Sequence, residues 1–217
     1  MNKHIAEFLG TGFLFCAVVG SGIMGENLST ANDSLTLLVN TLATVFALYF
    51  LISTFQAYST HFNPVVSFIF FLKGEISVKT FLSFSIVQIL GSITGVMLAN
   101  YLFEIDPIDF SQKDRSGTNI FVSEVFATFG LLLVILLSSK ERVASTVAAY
   151  IGGAYWFTSS TSFANPAGAI GRSFSNTFAG INPDDVALFC LAQFIGALLA
   201  YFLYRFCFAG NSMSISE

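Results

Sequence analysis

Two short segments of the sequence begin with an Asn-Pro pair: Asn63-Pro64-Val65 and Asn165-Pro166-Ala167. Asn is a common N-cap residue, and Pro at the first helical position loses no hydrogen bond, so each pair predicts the start of a helix. The side-chain amide of each Asn can also donate a hydrogen bond to a passing oxygen atom. The apolar pieces that follow, residues 63–73 and 165–176, are too short to cross a hydrocarbon core of about 30 Å.

Two carboxylates lie inside long apolar stretches. Glu7 opens the run EFLGTGFLF, and Glu124 opens the run EVFATFGLLL. A carboxylate at membrane depth is costly, so it indicates either a proton relay or a structural anchor. A relay needs further acids or histidines along its path, and we find none in the sequence. We therefore expect each carboxylate to accept backbone N–H groups of a loop that leads to an Asn-Pro pair.

The sequence predicts no enzyme, metal site or cofactor. His4 and His61 are the only histidines, and no Ser/His or HExxH arrangement falls on facing spans. The three cysteines lie in apolar stretches without metal-ligand spacing. Two alternatives stay open for His61: a pH gate, because histidine titrates near neutral pH, or a hydrogen-bonding residue that lines a pore.

The composition indicates a membrane protein. Of 217 residues, 54% are hydrophobic and only 10% are charged, and the mean hydropathy is +0.74, whereas soluble domains carry about 25% charged residues. No basic run offers a nucleic-acid footprint. The chain contains six apolar stretches of membrane-spanning length: residues 5–25, 35–58, 80–103, 118–139, 142–160 and 185–208.

The two halves of the chain resemble each other, with repeats at about 1–110 and 117–217 in one domain, 1–217. Besides the Glu and Asn-Pro motifs, Gln88-x-x-Gly91 recurs as Gln193-x-x-Gly196. Each half has three spans, which is an odd number, so the second half enters the membrane from the opposite face. The repeat is therefore inverted. The predicted fold is an all-α membrane protein with six transmembrane helices and two re-entrant half-helices.

The distribution of basic residues predicts the orientation. Six of them fall on one side of this topology, namely Lys3, Lys73, Lys79, Lys140, Arg142 and Arg205. The positive-inside rule makes that side cytoplasmic. The sequence therefore predicts a multi-pass protein of the cell (inner or plasma) membrane with both termini in the cytoplasm.

The meeting of the two half-helices predicts a passage through the membrane. Irregular backbone at membrane depth persists where protein buries it or water wets it. Each half-helix places roughly half a positive charge at its N-terminus, so cations and protons meet a barrier there. We expect passive conduction of water and small uncharged solutes, with ions excluded. A secondary transporter is the main alternative, because it also uses inverted repeats and broken helices.

The paired Asn-Pro segments, the Glu7-x-x-Gly10-Thr11 opening and the Gln-x-x-Gly repeats resemble the aquaporin, or major intrinsic protein, family. The resemblance covers nearly the whole chain and implies an aquaporin-like fold and a homotetramer with one pore per subunit. Val65 stands where the family's first motif has Ala. The stretch Thr158–Ala167 is similar to the wide-pore bacterial aquaglyceroporin-like branch, which implies passage of glycerol or undissociated metalloid acids.

The same resemblance implies a selectivity filter. Counting without gaps from each Asn gives Ala43, Gly153, Ser162 and Gly168, with Gly168 at the position where the family normally has Arg. Arg172 lies one helical turn further on and shares a face with residue 168. We expect Arg172 to line the pore, with the alternative that it reaches the outer headgroups or pairs with Asp184 or Asp185. An insertion of one or two residues would instead bring Tyr155 or Trp156 to the filter.

Overall fold

The computed structural model describes residues 2–29 and 31–208. These residues form eight helices in chain order: α1 (Lys3–Leu28), α2 (Asp33–Phe55), α3 (Pro64–Leu72), α4 (Val78–Leu102), α5 (Thr118–Leu137), α6 (Val143–Phe157), α7 (Pro166–Arg172) and α8 (Pro183–Cys207). The described residues include no β-strand. The predicted all-α fold with two short helices between longer ones is confirmed.

Five helices, α1, α2, α4, α5 and α8, are long and apolar enough to cross a membrane. The sixth predicted span is shorter than expected, because α6 has 15 residues and ends at Phe157, a length of about 22 Å. The second short segment also ends early, since α7 stops at Arg172 rather than at residue 176. Large apolar side chains on the outer faces are exposed, among them Phe46, Ile86 and Phe126, as a lipid-facing exterior requires.

Small residues allow the closest helix contacts. The positions that a Cβ atom would take on Gly91 and Gly95 of α4 lie 2.4 and 2.0 Å from the backbone carbonyl oxygens of Phe8 and Gly12 in α1. In the second half, the same atom on Gly196 of α8 would lie 2.3 Å from the Val125 carbonyl oxygen in α5. Phe8 follows Glu7 and Val125 follows Glu124, so equivalent helices touch at equivalent places. Small residues at such contacts let membrane helices pack backbone to backbone.

Candidate functional site

The two short helices meet at their N-termini. The Asn63 side chain caps α3 by accepting the Val65 N–H at 3.1 Å, and the Asn165 side chain caps α7 by accepting the Ala167 N–H at 3.0 Å. Each amide nitrogen also donates to the opposite loop: Asn63 Nδ2 to the Ala164 carbonyl at 2.7 Å and Asn165 Nδ2 to the Phe62 carbonyl at 2.8 Å. These crossed bonds use one of the two N–H groups of each amide, and the second remains for a solute.

Backbone strain places the two acceptors of these crossed bonds. Phe62 and Ala164 precede the two asparagines and have φ angles of +48° and +46°. Non-glycine residues rarely adopt this left-handed region, at a cost of about 1–3 kcal/mol each, and they cluster at functional sites. The matched strain in the two halves turns the Phe62 and Ala164 carbonyls toward each other's asparagine.

Glu7 binds the loop before α3. Its carboxylate accepts the backbone N–H groups of His61 and Phe62 at 2.8 and 2.7 Å, together with the Ser59 hydroxyl. It also accepts the Gln88 side-chain amide at 2.8 Å. Glu7 is fully buried, so every charge-bearing oxygen faces a donor rather than water.

Glu124 binds the loop before α7 in the same way. It accepts the Phe163 and Ala164 N–H groups at 2.8 and 3.0 Å, the Ser160 hydroxyl at 2.7 Å and the Gln193 amide at 2.8 Å. These bonds favour the anchor hypothesis over the relay hypothesis. They also give the Gln-x-x-Gly repeat a physical reason, because each Gln binds the carboxylate and the Gly three residues later makes the helix contact.

A cavity of about 680 Å³ passes the two asparagines. Along α1 its lining runs from Lys3 to Val18, and along the antiparallel α2 it runs from Gln56 back to Thr44. One end therefore lies where α1 begins, beside Lys73 and Lys140, and the other end lies beside Arg172. His61 lines the first end, where its Nδ1 lies 2.9 Å from the Ser67 hydroxyl and its ring packs on Phe70. Pro64, Val65, Pro166 and Ala167 are buried behind the asparagines.

At the far end of the cavity, two lining residues are not the ones that counting without gaps from the asparagines predicted. Thr44 and Tyr155 line the cavity, and their hydroxyl groups lie 3.2 Å apart. Ala43 does not line it, and Gly153 is exposed on the outer face of α6. The physical reason is helical geometry: an error of one residue turns a side chain by about 100°. Ser162 does line the cavity, with its side chain buried.

Arg172 lines the cavity, and its guanidinium group stacks on an aromatic ring, a contact that the sequence did not indicate. Its guanidinium carbon lies 3.3 Å from the centre of the Phe163 ring, and Nε donates to the Ala179 carbonyl at 2.5 Å. Arg115, from the α4–α5 loop, lies 4.9 Å from the same ring and donates to the Gly180 carbonyl at 2.7 Å. Burial lowers the pKa of Arg115 to about 10, so it stays charged at neutral pH.

Arg172 makes no ion pair within the described ranges 2–29 and 31–208, where the single salt bridge joins Lys73 and Glu75. Asp185, one of its expected partners, accepts the backbone N–H of Arg115 instead. The carbonyls of three successive residues, Phe178, Ala179 and Gly180, accept from Lys113, Arg172 and Arg115 in turn. The three cations at this end of the cavity are thus bound by backbone carbonyls, and among the described residues none of them forms a direct ion pair with a carboxylate.

Comparison with known proteins agrees with this geometry. The family model described as Major intrinsic protein matches residues 1–204. Aquaglyceroporin AqpS of Rhizobium meliloti (strain 1021) is 46% identical over 94% of this chain and 89% of its own length. Aquaporin TIP1-2 of Musa acuminata is 29% identical over 98% of this chain and 88% of its own length. Among solved structures, the aquaglyceroporin from Plasmodium falciparum has a similar fold, with a TM-score of 0.69, 19% identity and 96% of each chain covered.

Proposed function

The chain belongs to the major intrinsic protein family, and from that premise we propose how it works as a channel for water and small uncharged solutes such as glycerol. It is a channel and not an enzyme. The observation that carries the proposal is the pair of capped half-helices whose asparagines, crossed by hydrogen bonds, share one cavity. A water or hydroxyl oxygen exchanges its hydrogen bonds there with the free N–H groups of Asn63 and Asn165.

Ion exclusion follows from the same two helix ends. Each N-terminus contributes roughly half a positive charge, and an isolated ion entering the cavity loses several kcal/mol of hydration. A water molecule bound by both asparagines presents its oxygen to both of them, which interrupts a chain of proton transfers. Arg172, held without a carboxylate partner at the far end, adds a second barrier to cations.

The selectivity filter that we propose consists of Thr44, Tyr155, Ser162 and Arg172. Three of these side chains carry hydroxyl groups, which suits solutes that present several oxygens, as glycerol and undissociated metalloid acids do. The homology to an aquaglyceroporin, at 46% identity, supports solutes larger than water. The loop anchors Glu7 and Glu124 hold the backbone of the filter and of the asparagine motifs.

The proposed topology has one channel domain, built of inverted repeats at about 1–110 and 117–217, in the cell (inner or plasma) membrane. The cavity end beside Lys3, Lys73 and Lys140 faces the cytoplasm by the positive-inside rule, and both termini lie on that side, although Met1 and residues 209–217 are outside the described residues. Because the cavity lies within one chain, a homotetramer would contain four separate pores. Chemical cross-linking in membranes would reveal four-subunit products.

Light scattering on proteoliposomes tests the proposal. Vesicles that contain the protein should shrink in hyperosmotic buffer faster than empty vesicles, with the low activation energy of a pore. Under an inward glycerol gradient they should also reswell faster. Proton or sodium flux above that of empty vesicles would refute the exclusion mechanism, and trans-stimulated, saturable flux would show a carrier.

A further inference from the structure

We propose that Phe15 of α1 is a specificity-determining residue of the pore, and that it gives neutral solutes with a hydrocarbon face, such as glycerol, an apolar wall beside the hydroxyl-lined filter. The inference rests on the proposed channel function and extends it to a residue outside the filter positions that the resemblance implies.

Phe15 occupies the place of a side chain on residue 168. A Cβ atom built on Gly168 would lie 2.4 Å from Cζ and 2.5 Å from Cε1 of the Phe15 ring. Real Cβ atoms essentially never approach another atom so closely, so the two positions cannot both carry a side chain in this arrangement. Phe15 is buried, with 4% of its surface exposed, and it lines the cavity. An aromatic ring from α1 therefore forms the wall where a residue of α7 would otherwise project.

The helix pairing places Phe15 at the depth of the filter. α1 and α2 run antiparallel, and Asn40 Nδ2 of α2 donates to the Val18 carbonyl of α1 at 2.6 Å. Moving four residues along α2 to Thr44 corresponds to moving back about one turn along α1, to the level of Leu14 and Phe15. Phe15 and Thr44 therefore line the same section of the cavity.

The cavity at this depth has both polar and apolar walls. Thr44 and Tyr155 contribute hydroxyl groups. The buried Ser162 hydroxyl has no hydrogen-bond partner in the part of the chain that the structure describes, so it is free to bind a solute. The Phe15 ring offers no hydrogen bond. Glycerol can direct its hydroxyl groups to one wall and its C–H groups to the other, whereas urea has no C–H groups.

Substitutions of matched size separate polarity from bulk. Phe15→Leu keeps an apolar side chain, and Phe15→Gln replaces it by a polar one of similar length. Phe13→Leu is the control, because Phe13 lies on the same helix with 57% of its surface exposed. The measurement is the ratio of glycerol to urea permeability in proteoliposomes of equal protein content. We expect Phe15→Gln to lower this ratio by about fourfold, the factor for losing one CH₂ group of apolar contact, while both leucine variants keep the wild-type ratio.

A second series tests the contact by stability, without any solute. Gly168→Ala should lower the thermal denaturation temperature of the purified protein, and adding Phe15→Leu should restore part of the loss. The role of Phe15 would be overturned if the ratio of glycerol to urea permeability were equal in wild type and Phe15→Gln, or if Phe15→Leu and Phe15→Gln lowered it equally. The proposed channel function would stand in either case. A wild-type protein that passes water but neither glycerol nor urea would refute the proposed solute range, and the inference with it.

Discussion

Replacing Glu124 tests whether the loop before α7 depends on its anchor. Glu124→Ala removes the acceptor of four buried donors: the Ser160 hydroxyl, the Phe163 and Ala164 N–H groups and the Gln193 amide. An unsatisfied buried donor costs about 1–3 kcal/mol, so four of them cost at least about 4 kcal/mol. Folded domains are stable by about 5–15 kcal/mol, so the loss is a large part of the whole.

Glu124→Gln should be less damaging because it keeps the shape and one acceptor oxygen. That oxygen can still accept two donors, while the new amide group faces the other two, so about half of the cost remains, roughly 2 kcal/mol. The exposed Glu141 provides matched controls, Glu141→Ala and Glu141→Gln, in which no buried donor loses a partner.

The assay is thermal denaturation of the purified protein in detergent, followed by size-exclusion chromatography, alongside abundance in the membrane. We expect the order wild type, Gln, Ala from most to least stable at residue 124, with both Glu141 variants equal to wild type. The same order should hold at Glu7. If Gln and Ala were equally disruptive at both sites, the charge itself would be required, and the relay hypothesis would replace the anchor.

Three further predictions concern single contacts. Asn165→Leu removes the cap of α7 and the hydrogen bond to the Phe62 carbonyl, so proteoliposomes with this variant should lose their water permeability. The exposed control Asn119→Leu should keep it, and equal permeability of the two variants would contradict the mechanism. Arg115→Met removes the hydrogen bonds from the guanidinium group to the carbonyls of residues 178 and 180, each worth about 1.5–3 kcal/mol. This variant should therefore denature at a lower temperature than the exposed-site control Lys79→Met. Gly196→Ala places Cβ 2.3 Å from a backbone oxygen and should destabilise the protein by about 1–3 kcal/mol, whereas Gly153→Ala, with its nearest contact at 3.4 Å, should denature like wild type.

The motifs that could be predicted from sequence are those whose chemistry is local. An Asn followed by Pro favours a helix start, and the three such pairs of the chain, at residues 63, 165 and 182, begin the helices α3, α7 and α8. A Glu in an apolar stretch must find donors, and in each half of the chain the matching loop supplies them. These features depend on residue type and not on which side of a helix a residue faces.

The residues of the proposed filter could not be predicted in the same way, because which of them face the cavity depends on helical rotation. Moving from Gly153 to Tyr155 turns the side chain by about 200°, from the outer face of α6 to the cavity. The gapless count cannot detect such a shift, because it assumes a fixed number of residues between the filter position on α6 and Asn165. Phe15 was missed for another reason: nothing in α1 alone indicates that the ring occupies the space beside Gly168.

The chain departs from the family's usual filter at two positions of α7: residue 168 is Gly, and the Arg lies at residue 172. Glycine at residue 168 leaves the space that Phe15 fills, and the guanidinium that would occupy it comes instead from Arg172, one turn or about 5.4 Å further along α7. Arg172 is held there by contacts to Phe163 and the Ala179 carbonyl, none of which involves Phe15. In the proposed mechanism, rejection of cations and recognition of a solute's apolar face therefore rest on different residues. Phe15→Gln should for this reason alter the preference among neutral solutes while ions remain excluded.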